Sequence, residues 1–587
     1  MKVNWEALGI TIGLSVVAVS ILVVGLGQHV IEILIRLLYA FILFSGVFAL
    51  VLLLKHPTTI KFLRSHKSIL IVILVASLIR ILMIISFPFF VISGDGGDGI
   101  YYYRRIWMMA RGNYQGNLSF VTGYPFFISF LGVLLIQLGE STRRTLLLLL
   151  QHLISIGTIV LIYRIVWLHT KNKLASFLAG VIAALSLTDA LWAHRSRPVW
   201  FGTFLSVAGL WSFSVWLKKH RNFWWAALTG VLIACATLSR NFPVVFLGCF
   251  VLIIPFIKDA LRRRALYCIV LIFSFGLSYY SYIYFVQYRS TGMFAMRGMG
   301  IGLHLGQISY RGNPNLVPFN RDAGEYTNQM VAYTHCIRES LPHMPMKYWG
   351  QNLFNKKEPR APSHMTKRLK DSVSNHSKYA LPAIPKGGDS IAVDRLEFAY
   401  YLGVPETKKL FEGYAFEQIR TSPIRSLRIV FRRILDSFRV HRKNFVYRLI
   451  YFPKKENMKI LKKGFLGFSK VEWPSRYKSD AKIPFANLAG IQLIEWSYNH
   501  ILYDWWLYLV VFVILIPDIL KRTSFGQLST ICILLVLSLV VSHAFVTPPL
   551  PSHMAILEPF YKILFGLAAY RVIGVILQLL RKFKVRP

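Results

Sequence analysis

Long apolar stretches alternate with short basic ones along most of this chain of 587 residues. The stretches are about 18 to 25 residues long, the length that an α-helix needs to cross roughly 30 Å of hydrocarbon. We predict about twelve transmembrane helices, with a polar section between the ninth and the tenth. Their predicted bounds are Ala7–Leu26, Val30–Leu54, Ser68–Ile92, Thr145–Leu168, Leu174–Leu191, Val199–Leu217, Phe223–Ser239, Phe242–Ile257, Ala265–Val286, Leu502–Leu520, Gln527–Phe545 and Ile556–Leu580.

One further apolar segment, Phe120–Leu138, does not fit this alternation. Basic residues cluster between the predicted helices, and the positive-inside rule places such clusters in the cytoplasm. If the segment crossed the membrane, Lys171 and Lys173 would be moved to the outer side. We therefore predict a helix that dips in from the outer face and returns. The alternative is that the charge rule fails at the short loop containing these lysines.

These features divide the chain into four parts. Residues 1–67 form two extra N-terminal transmembrane helices and a basic cytoplasmic loop, and residues 68–287 form a transmembrane core with an external loop at 93–119. Residues 288–500 are too long for a loop without structure of its own, so we predict an external domain of mixed structure with amphipathic surface helices. Residues 501–587 form three transmembrane helices and a basic cytoplasmic tail. The predicted fold class is an all-α polytopic membrane protein with a large mixed external domain.

Composition and charge agree with a membrane protein. Hydrophobic residues make up 55% of the chain, and the formal net charge is +42. The basic residues lie between apolar stretches and in the polar section, without the base-stacking or groove-reading modules of nucleic-acid binders, so no nucleic-acid partner is expected. Attraction to membrane lipids and to phosphate-bearing substrates is the better interpretation. The five cysteines show neither a disulfide framework nor zinc spacing.

The most distinctive polar stretch follows the third predicted helix, where Asp95 and Asp98 stand among glycines. Glycine permits a tight turn and leaves both carboxylates uncrowded. The pair could share a divalent cation, or one carboxylate could act as a general base while the other sets its pKa. A solvated turn, or a helix N-cap at Asp98, is the alternative. The next residues, with Tyr103 and Trp107 on one helical face, predict a helix at the membrane interface.

The order of several motifs resembles the GT-C glycosyltransferases, in particular the branch with RgtA/B/C/D-like enzymes, protein O-mannosyltransferases of family 39 and aminoarabinose transferases. The resemblance covers roughly residues 68–314 and is looser beyond them. The residues that carry it are Asp98, Tyr101 to Tyr103, Gly112, Gly123-Tyr124-Pro125, Ala184-Leu185-Ser186, Gly230 to Ala236, Leu238-Ser239-Arg240, Tyr310-Arg311-Gly312-Asn313-Pro314 and Ala415 to Pro423. The chain departs from the family at Leu187-Thr188-Asp189, where a proline is usual, and in its two extra N-terminal helices.

The resemblance implies transfer of a hexose or pentose from a polyprenyl-phosphate donor to a hydroxyl of a glycan, lipid or protein acceptor, with inversion. It makes Asp98 the general base and Asp95 its partner or a metal ligand, so that Asp95 and Asp98 could together hold Mg²⁺ or Mn²⁺; no other cofactor is implied. Guanidinium groups suit phosphate oxygens. The candidate donor-phosphate ligands are Arg195, Arg197, Arg240, Arg311 and His553.

The same reasoning places the protein in the cytoplasmic membrane, with its active site facing the periplasm or the exterior. Each of these basic residues could instead anchor a helix end to lipid headgroups. A transporter or flippase of a lipid-linked or anionic substrate is the alternative function. Such a protein would be expected to place ionisable residues inside its membrane helices or to show inverted repeats. A non-catalytic membrane scaffold is a third hypothesis.

Overall fold

The computed structural model describes residues 57–86, 98–113, 123–194, 196–218, 222–240, 242–257, 259–288, 294, 323–342, 344, 361–374, 395–439, 459–463, 468–472, 486–487, 505–521, 523–546 and 555–584. The first two predicted transmembrane helices, Ala7–Leu26 and Val30–Leu54, lie outside these residues. The chain divides into a small unit, which includes residues 57–71 and Gln137–Arg143, and a large unit that begins at Val72. The fold and site described below belong to the large unit.

The described residues are mainly α-helical. Before the polar section the helices are α1 Pro57–Ser86, α2 Asp98–Ala110, α3 Gly123–Leu135, α4 Glu140–Thr170, α5 Lys173–Ala184, α6 Leu187–Ala193, α7 Val199–Lys218, α8 Phe223–Ser239, α9 Val244–Ile253 and α10 Leu261–Tyr282, which a π-helical turn extends over Ile283–Tyr288. In the polar section they are α11 Glu325–Ser340, α12 Ser363–Asp371, α13 Arg395–Leu402, α14 Val404–Thr421 and α15 Pro423–Arg439. The last helices are α16 Trp505–Leu520, α17 Ser524–Val546 and α18 Glu558–Lys584.

The polar section also contains a small antiparallel sheet. Its three strands are β1 Lys459–Lys463, β2 Phe468–Glu472 and β3 Ala486–Asn487, in the order β1-β2-β3. Helices α11 to α14 share a core of buried aromatic and aliphatic side chains, which includes Phe398, Phe411 and Tyr414.

Five helices among the described residues are long and apolar enough to cross a membrane by length and composition: Thr142–Thr170, Val199–Lys218, Leu261–Tyr288, Ser524–Ser542 and Glu558–Leu580. This confirms the prediction of a helical protein with long apolar helices. The total of about twelve stays a prediction. One predicted helix, Leu174–Leu191, is wrong as a single span, because the chain leaves the helix at Leu185 and Ser186 and continues as the short α6.

The segment predicted to dip into the membrane forms α3, which has 13 residues. At 1.5 Å per residue α3 is about 20 Å long, which is less than the roughly 30 Å of a bilayer's hydrocarbon core.

The helices of the bundle start and pack in ways that their sequences explain. Asn172 caps α5 by accepting a hydrogen bond from the Ala175 N–H at 3.0 Å, and Asn222 caps α8 by accepting one from the Trp224 N–H at 3.1 Å. Helix α7 is apolar around its circumference and is buried along most of its length, as expected of a helix that other helices surround. Gly230 lets α8 approach α10 closely, since a Cβ there would lie 2.5 Å from the Leu271 carbonyl oxygen.

Lys171, Lys173 and Lys218 lie at one end of the bundle. Lys218, the last residue of α7, donates a hydrogen bond to Gln527 at 2.5 Å, and Tyr570 accepts one from Asn172 at 2.9 Å. The ring of Tyr570 stacks on Phe525, which places the start of α5, the end of α7 and the start of α17 together. We call this the lysine end. Because α7 has 20 residues, the lysine end lies about 30 Å from Val199 at the other end of the helix.

Candidate active site

Asp98 is the first residue of α2. A carboxylate at this position is favoured by the partial positive charge at the start of a helix. The structure describes the backbone of Asp98 and not its side chain, and Asp95 lies outside the described residues. The start of α2 therefore gives the position of this candidate base.

Helix α2 buries its aromatic face against the protein. Tyr102, Tyr103, Ile106 and Trp107 are all at most 7% exposed and belong to one apolar cluster with residues of α3, α4, α6, α7 and α8. Tyr103 and Trp107 are therefore covered by other helices and are not exposed to lipid, and the predicted location of α2 at the membrane interface stays a prediction. The sequence pattern alone could not distinguish burial inside the protein from exposure at the membrane interface, because an aromatic face suits both environments.

Helices α2 and α3 run side by side in the same direction. Near their starts, the rings of Tyr102 and Tyr124 meet edge to face, with centroids 5.9 Å apart. Further along both helices, Gly132 lies against Trp107 and Ala110, since a Cβ on this glycine would be 3.3 Å and 3.2 Å from their side chains. Asp98 and Gly123, the first residues of the two helices, therefore lie at the same end.

The start of α3 in turn touches the end of α8. A Cβ on Gly123 would overlap the Leu238 carbonyl group, so only glycine permits this approach. Two residues later Arg240 closes α8, with its N–H donated to the Ala236 carbonyl at 2.8 Å. The side chain of Arg240 lies along the first turns of α7, where Gly202 leaves room for it. Arg240 thus belongs to the same end of the bundle as Gly123.

Arg197 lies close to the same place, because it precedes α7 by two residues. Trp200, in the first turn of α7, meets Tyr124 with ring centroids 5.6 Å apart. The structure therefore brings Arg197, Arg240 and the start of α2 to one end, which we call the Asp98 end. Three other predicted phosphate ligands, Arg195, Arg311 and His553, lie outside the described residues.

A buried hydrogen-bond chain fixes α3 and α6 to α4 beneath this end. The Tyr124 hydroxyl donates to Gln151 Oε1 at 3.2 Å, and Gln151 Nε2 donates to the Ala193 carbonyl at 2.7 Å. Both side chains are fully buried, where an unpaired polar group would cost about 1–3 kcal/mol. The tyrosine of the Gly-Tyr-Pro motif is therefore a structural anchor of the site.

Two histidines meet next to this chain. His152 Nε2 and His194 Nδ1 are 3.2 Å apart, so one ring donates a hydrogen bond to the other, the direction being set by their tautomers. On the neighbouring turn of α4, Ser155 accepts a hydrogen bond from Arg80 Nη2 at 3.1 Å, and Arg80 Nη1 donates to the Ala184 carbonyl at 2.9 Å. Arg80 is 1% exposed.

Asp189, Lys562 and Glu558 form a buried ion cluster at the same level. Lys562 Nζ lies 2.5 Å from Asp189 Oδ2 and 3.0 Å from Glu558 Oε2. The Ser186 hydroxyl donates to the Glu558 carboxylate at 3.4 Å, and Asp189 also attracts the Arg80 guanidinium electrostatically. We call these four charged residues, with Arg80 as the fourth, the buried ion cluster. Two acids and two bases balance its formal charge.

Sequence reasoning missed the buried ion cluster, although a signal was present. Arg80 lies inside the apolar run Ser68–Ile92, and Lys562 lies inside Ile556–Leu580. An ionisable residue within such a run is rare and faces the protein interior or a cavity. The partner could not be read from the sequence, since Asp189 and Lys562 are 373 positions apart.

A narrow cleft opens between the ion cluster and the aromatic cluster. It has room for about one water molecule. Three hydroxyl-bearing residues, one carboxylate and two tryptophans contribute to its lining. The lining residues are Ser155, Thr158, Asp189, Trp192, Val199, Trp200 and Thr203.

The metal hypothesis stays a prediction. No group of three or more His, Cys, Asp or Glu side chains that could hold a metal ion is found among the residues that the structure describes. That search includes neither Asp95 nor the side chain of Asp98.

Comparisons of the chain with models of protein families, with curated proteins and with solved structures gave no match.

Proposed function

We propose that the protein is an integral-membrane glycosyltransferase of GT-C type, which transfers a hexose or pentose from a polyprenyl-phosphate donor to a hydroxyl acceptor on the outer face of the cytoplasmic membrane. The observation that carries the proposal is that the start of α2, Arg197 and Arg240 lie at the same end of the bundle, the Asp98 end. The shared location of one candidate base and two candidate phosphate ligands, which were predicted from separate parts of the sequence, supports a common site.

In the proposed reaction Asp98 removes the proton from the acceptor hydroxyl. The acceptor oxygen then forms a bond to the anomeric carbon while the bond from that carbon to the donor phosphate breaks, which inverts the anomeric configuration. Polyprenyl phosphate leaves with the electron pair of the broken bond. Arg197 and Arg240 stabilise its negative charge through charge-assisted hydrogen bonds.

Residues outside the described part of the chain complete the proposal. Asp95 is the partner of Asp98 or, with it, a ligand of Mg²⁺ or Mn²⁺. Arg195, Arg311 and His553 are further candidate ligands of the donor phosphate. The acceptor, whether glycan, lipid or protein, is left open by the resemblance.

The separation of the two ends supports the proposed orientation. Lys171, Lys173 and Lys218 mark the lysine end, which faces the cytoplasm if the protein follows the positive-inside rule. The Asp98 end then faces outward, where a polyprenyl-phosphate sugar presents its phosphate at the membrane surface. Helix α16 runs to the lysine end, since Asp518 forms an ion pair with Arg571, the neighbour of Tyr570. Tyr282 at the end of α10 belongs to one buried cluster with Leu238 of α8, so the polar section leaves the bundle after α10 and returns before α16 at the Asp98 end.

The test is sugar transfer by the purified protein in proteoliposomes, with a panel of radiolabelled polyprenyl-phosphate sugars. We expect Asp98→Asn to lower the rate at least about a hundredfold, as loss of a general base does. The matched control is Asp371→Asn on the exposed surface of α12, which is expected to retain full activity. Undiminished transfer by the folded Asp98→Asn protein would refute the assignment of the base.

A transporter of a lipid-linked or anionic substrate is the second candidate, and the buried ion cluster favours it. Transporters place ionisable residues in the interior of their membrane helices, as Arg80 and Lys562 are placed here. Proteoliposomes that move a fluorescent polyprenyl-phosphate lipid between leaflets without sugar transfer, and lose this movement in Asp189→Asn, would favour transport over transfer.

A further inference from the structure

Helix α15 exposes an apolar stripe. Ile424, Leu427, Phe431 and Leu435 are 74%, 60%, 62% and 43% exposed. With 3.6 residues per turn, these four positions fall within an arc of about 80° on the helix surface. A stripe of this size on a water-facing helix would be costly, because roughly 1.5–3 kcal/mol is gained for each such side chain that is buried.

Arginines flank the stripe on one side. Arg428 and Arg432 are exposed and lie one turn apart, next to Leu427 and Phe431. On the opposite side of α15, Arg433 is only 4% exposed. The helix therefore has one face buried in the protein and one face that combines apolar side chains with cationic ones.

The position of α15 indicates what this exposed face meets. Helix α15 packs against α17, and Ser524–Ser542 of α17 is long and apolar enough to span a membrane. Because the polar section joins the bundle at the Asp98 end, we infer that α15 meets α17 on the side of the membrane that this end faces. The preceding helix α14 extends the apolar surface with Phe416 and Ile419, which are 68% and 44% exposed.

We propose that α15 lies in the headgroup region of the leaflet at the Asp98 end, with Ile424, Leu427 and Phe431 inserted among acyl chains and Arg428 and Arg432 bound to the phosphates of anionic phospholipids. A basic helix with a strong apolar face binds at such a depth, and each basic residue at an anionic surface adds to the attraction. A bilayer fits better than a soluble protein because the helix is already held against a membrane-spanning neighbour. The inference holds whether or not the protein transfers sugars.

The experiment uses the full-length protein with Leu427→Cys, labelled with an environment-sensitive fluorophore and reconstituted into nanodiscs of phosphatidylcholine with or without phosphatidylglycerol. Accessibility of the fluorophore to aqueous iodide is measured in both. None of the five native cysteines is exposed, and the unsubstituted protein is the labelling control. We expect iodide quenching to be several times weaker in the nanodiscs that contain phosphatidylglycerol than in detergent.

The double variant Arg428→Gln, Arg432→Gln tests whether these arginines bind the phosphates of anionic phospholipids. It should restore quenching in the anionic nanodiscs, because two arginines contribute roughly a thirtyfold preference for an anionic surface. The matched control, Arg262→Gln with Arg263→Gln at the start of α10, removes the same charge from two exposed arginines of the lysine end and should leave quenching low. Equal quenching in both nanodiscs and in detergent would overturn the proposal. Concentration-dependent shielding in detergent would also overturn it and would indicate a second protein copy.

Discussion

Lys562 illustrates how a single buried cation can hold distant helices together. It is 6% exposed and forms ion pairs with Asp189 of α6 and Glu558 of its own helix α18. Removing one partner from a buried ion pair leaves an uncompensated charge, which costs much more than the pair itself contributes.

We expect Lys562→Met to lower the free energy of unfolding by about 3–5 kcal/mol. The matched control is Lys370→Met, which breaks the exposed pair with Glu406 at 3.2 Å and should cost less than about 1 kcal/mol. The unfolding of both variants is measured in mixed micelles as the fraction of a denaturing detergent is increased. Equal effects of the two substitutions would show that the buried ion cluster does not stabilise the fold.

Cys336 provides a pH-dependent signal from the polar section. Burial raises the pKa of its thiol above 9.0, although nearby Arg368 and a hydrogen bond with Ser372 act in the opposite direction. The folded state therefore keeps the proton at pH values where the unfolded chain loses it. The contribution of the Cys336 thiol to the free energy of unfolding is fully present below pH 9.0. It decreases as the pH rises through the higher pKa of the folded state.

We therefore expect the free energy of unfolding to fall above pH 9, and the fall to be smaller in Cys336→Ala. Iodoacetamide should also alkylate Cys336 more slowly in the native protein than in the denatured one at pH 9, since the thiolate is the reactive form. Mass spectrometry of peptides after timed alkylation measures this rate. Equal rates in the two states would contradict the burial of the thiol.

What the sequence predicts at the residue scale depends on local pattern. Arg240 could be predicted as a helix-end residue because an apolar run stops there, and Asp98 because glycines precede it and a helical pattern follows. The hydrogen bond from Arg80 to the Ala184 carbonyl joins positions 104 apart. No local pattern encodes such a contact, so the residues of the buried ion cluster could at best have been recognised as charges in apolar runs.

At the scale of elements, close approach between helices requires small residues. Gly566 of α18 faces α5, and a Cβ there would lie 2.5 Å from the Cα of Ala179. Gly574 lies two turns further along the same helix, and a Cβ at that position would have no neighbour within 4 Å. The same substitution at the two glycines should therefore have opposite effects.

We expect Gly566→Ala to destabilise the protein by about 1–3 kcal/mol, because α5 and α18 must separate to admit the methyl group. Gly574→Ala should stabilise it by about 0.5–1 kcal/mol, since alanine loses less backbone freedom than glycine in a helix. Thermal unfolding in detergent, followed by intrinsic tryptophan fluorescence, gives the two shifts in Tm. A lower Tm for both variants would mean that α18 is packed on all sides.

The bounds of a helix were predicted best where its apolar length alone determines them. The apolar length of α7 requires a buried helix, and its observed bounds Val199–Lys218 differ by one residue from the prediction. The run Leu174–Leu191 has the same apolar character, yet it breaks at Ser186, whose hydroxyl contacts Glu558 of α18. That break depends on a tertiary contact, which hydropathy does not report. The aromatic face of α2 is likewise buried because neighbouring helices pack against it, which its own sequence pattern does not show.

At the scale of the whole molecule, the two ends of the bundle differ in chemistry. The lysine end carries Lys171, Lys173 and Lys218, whereas the start of α2 and the termini of the polar section lie at the Asp98 end. Positive residues near helix ends are retained in the cytoplasm during insertion. The two ends are therefore expected on opposite sides of the membrane.

Two exposed positions test this expectation. Asp371 lies on α12 of the polar section, which joins the bundle at the Asp98 end, and Lys173 begins α5 at the lysine end; both side chains are exposed. We expect a membrane-impermeant maleimide to label Asp371→Cys in intact cells and to label Lys173→Cys only after the membrane is permeabilised. Because none of the native cysteines is exposed, the unsubstituted protein should give little labelling in either case. Labelling of Lys173→Cys in intact cells would reverse the orientation and move the proposed active site to the cytoplasmic face, where an outward-facing sugar donor could not reach Asp98.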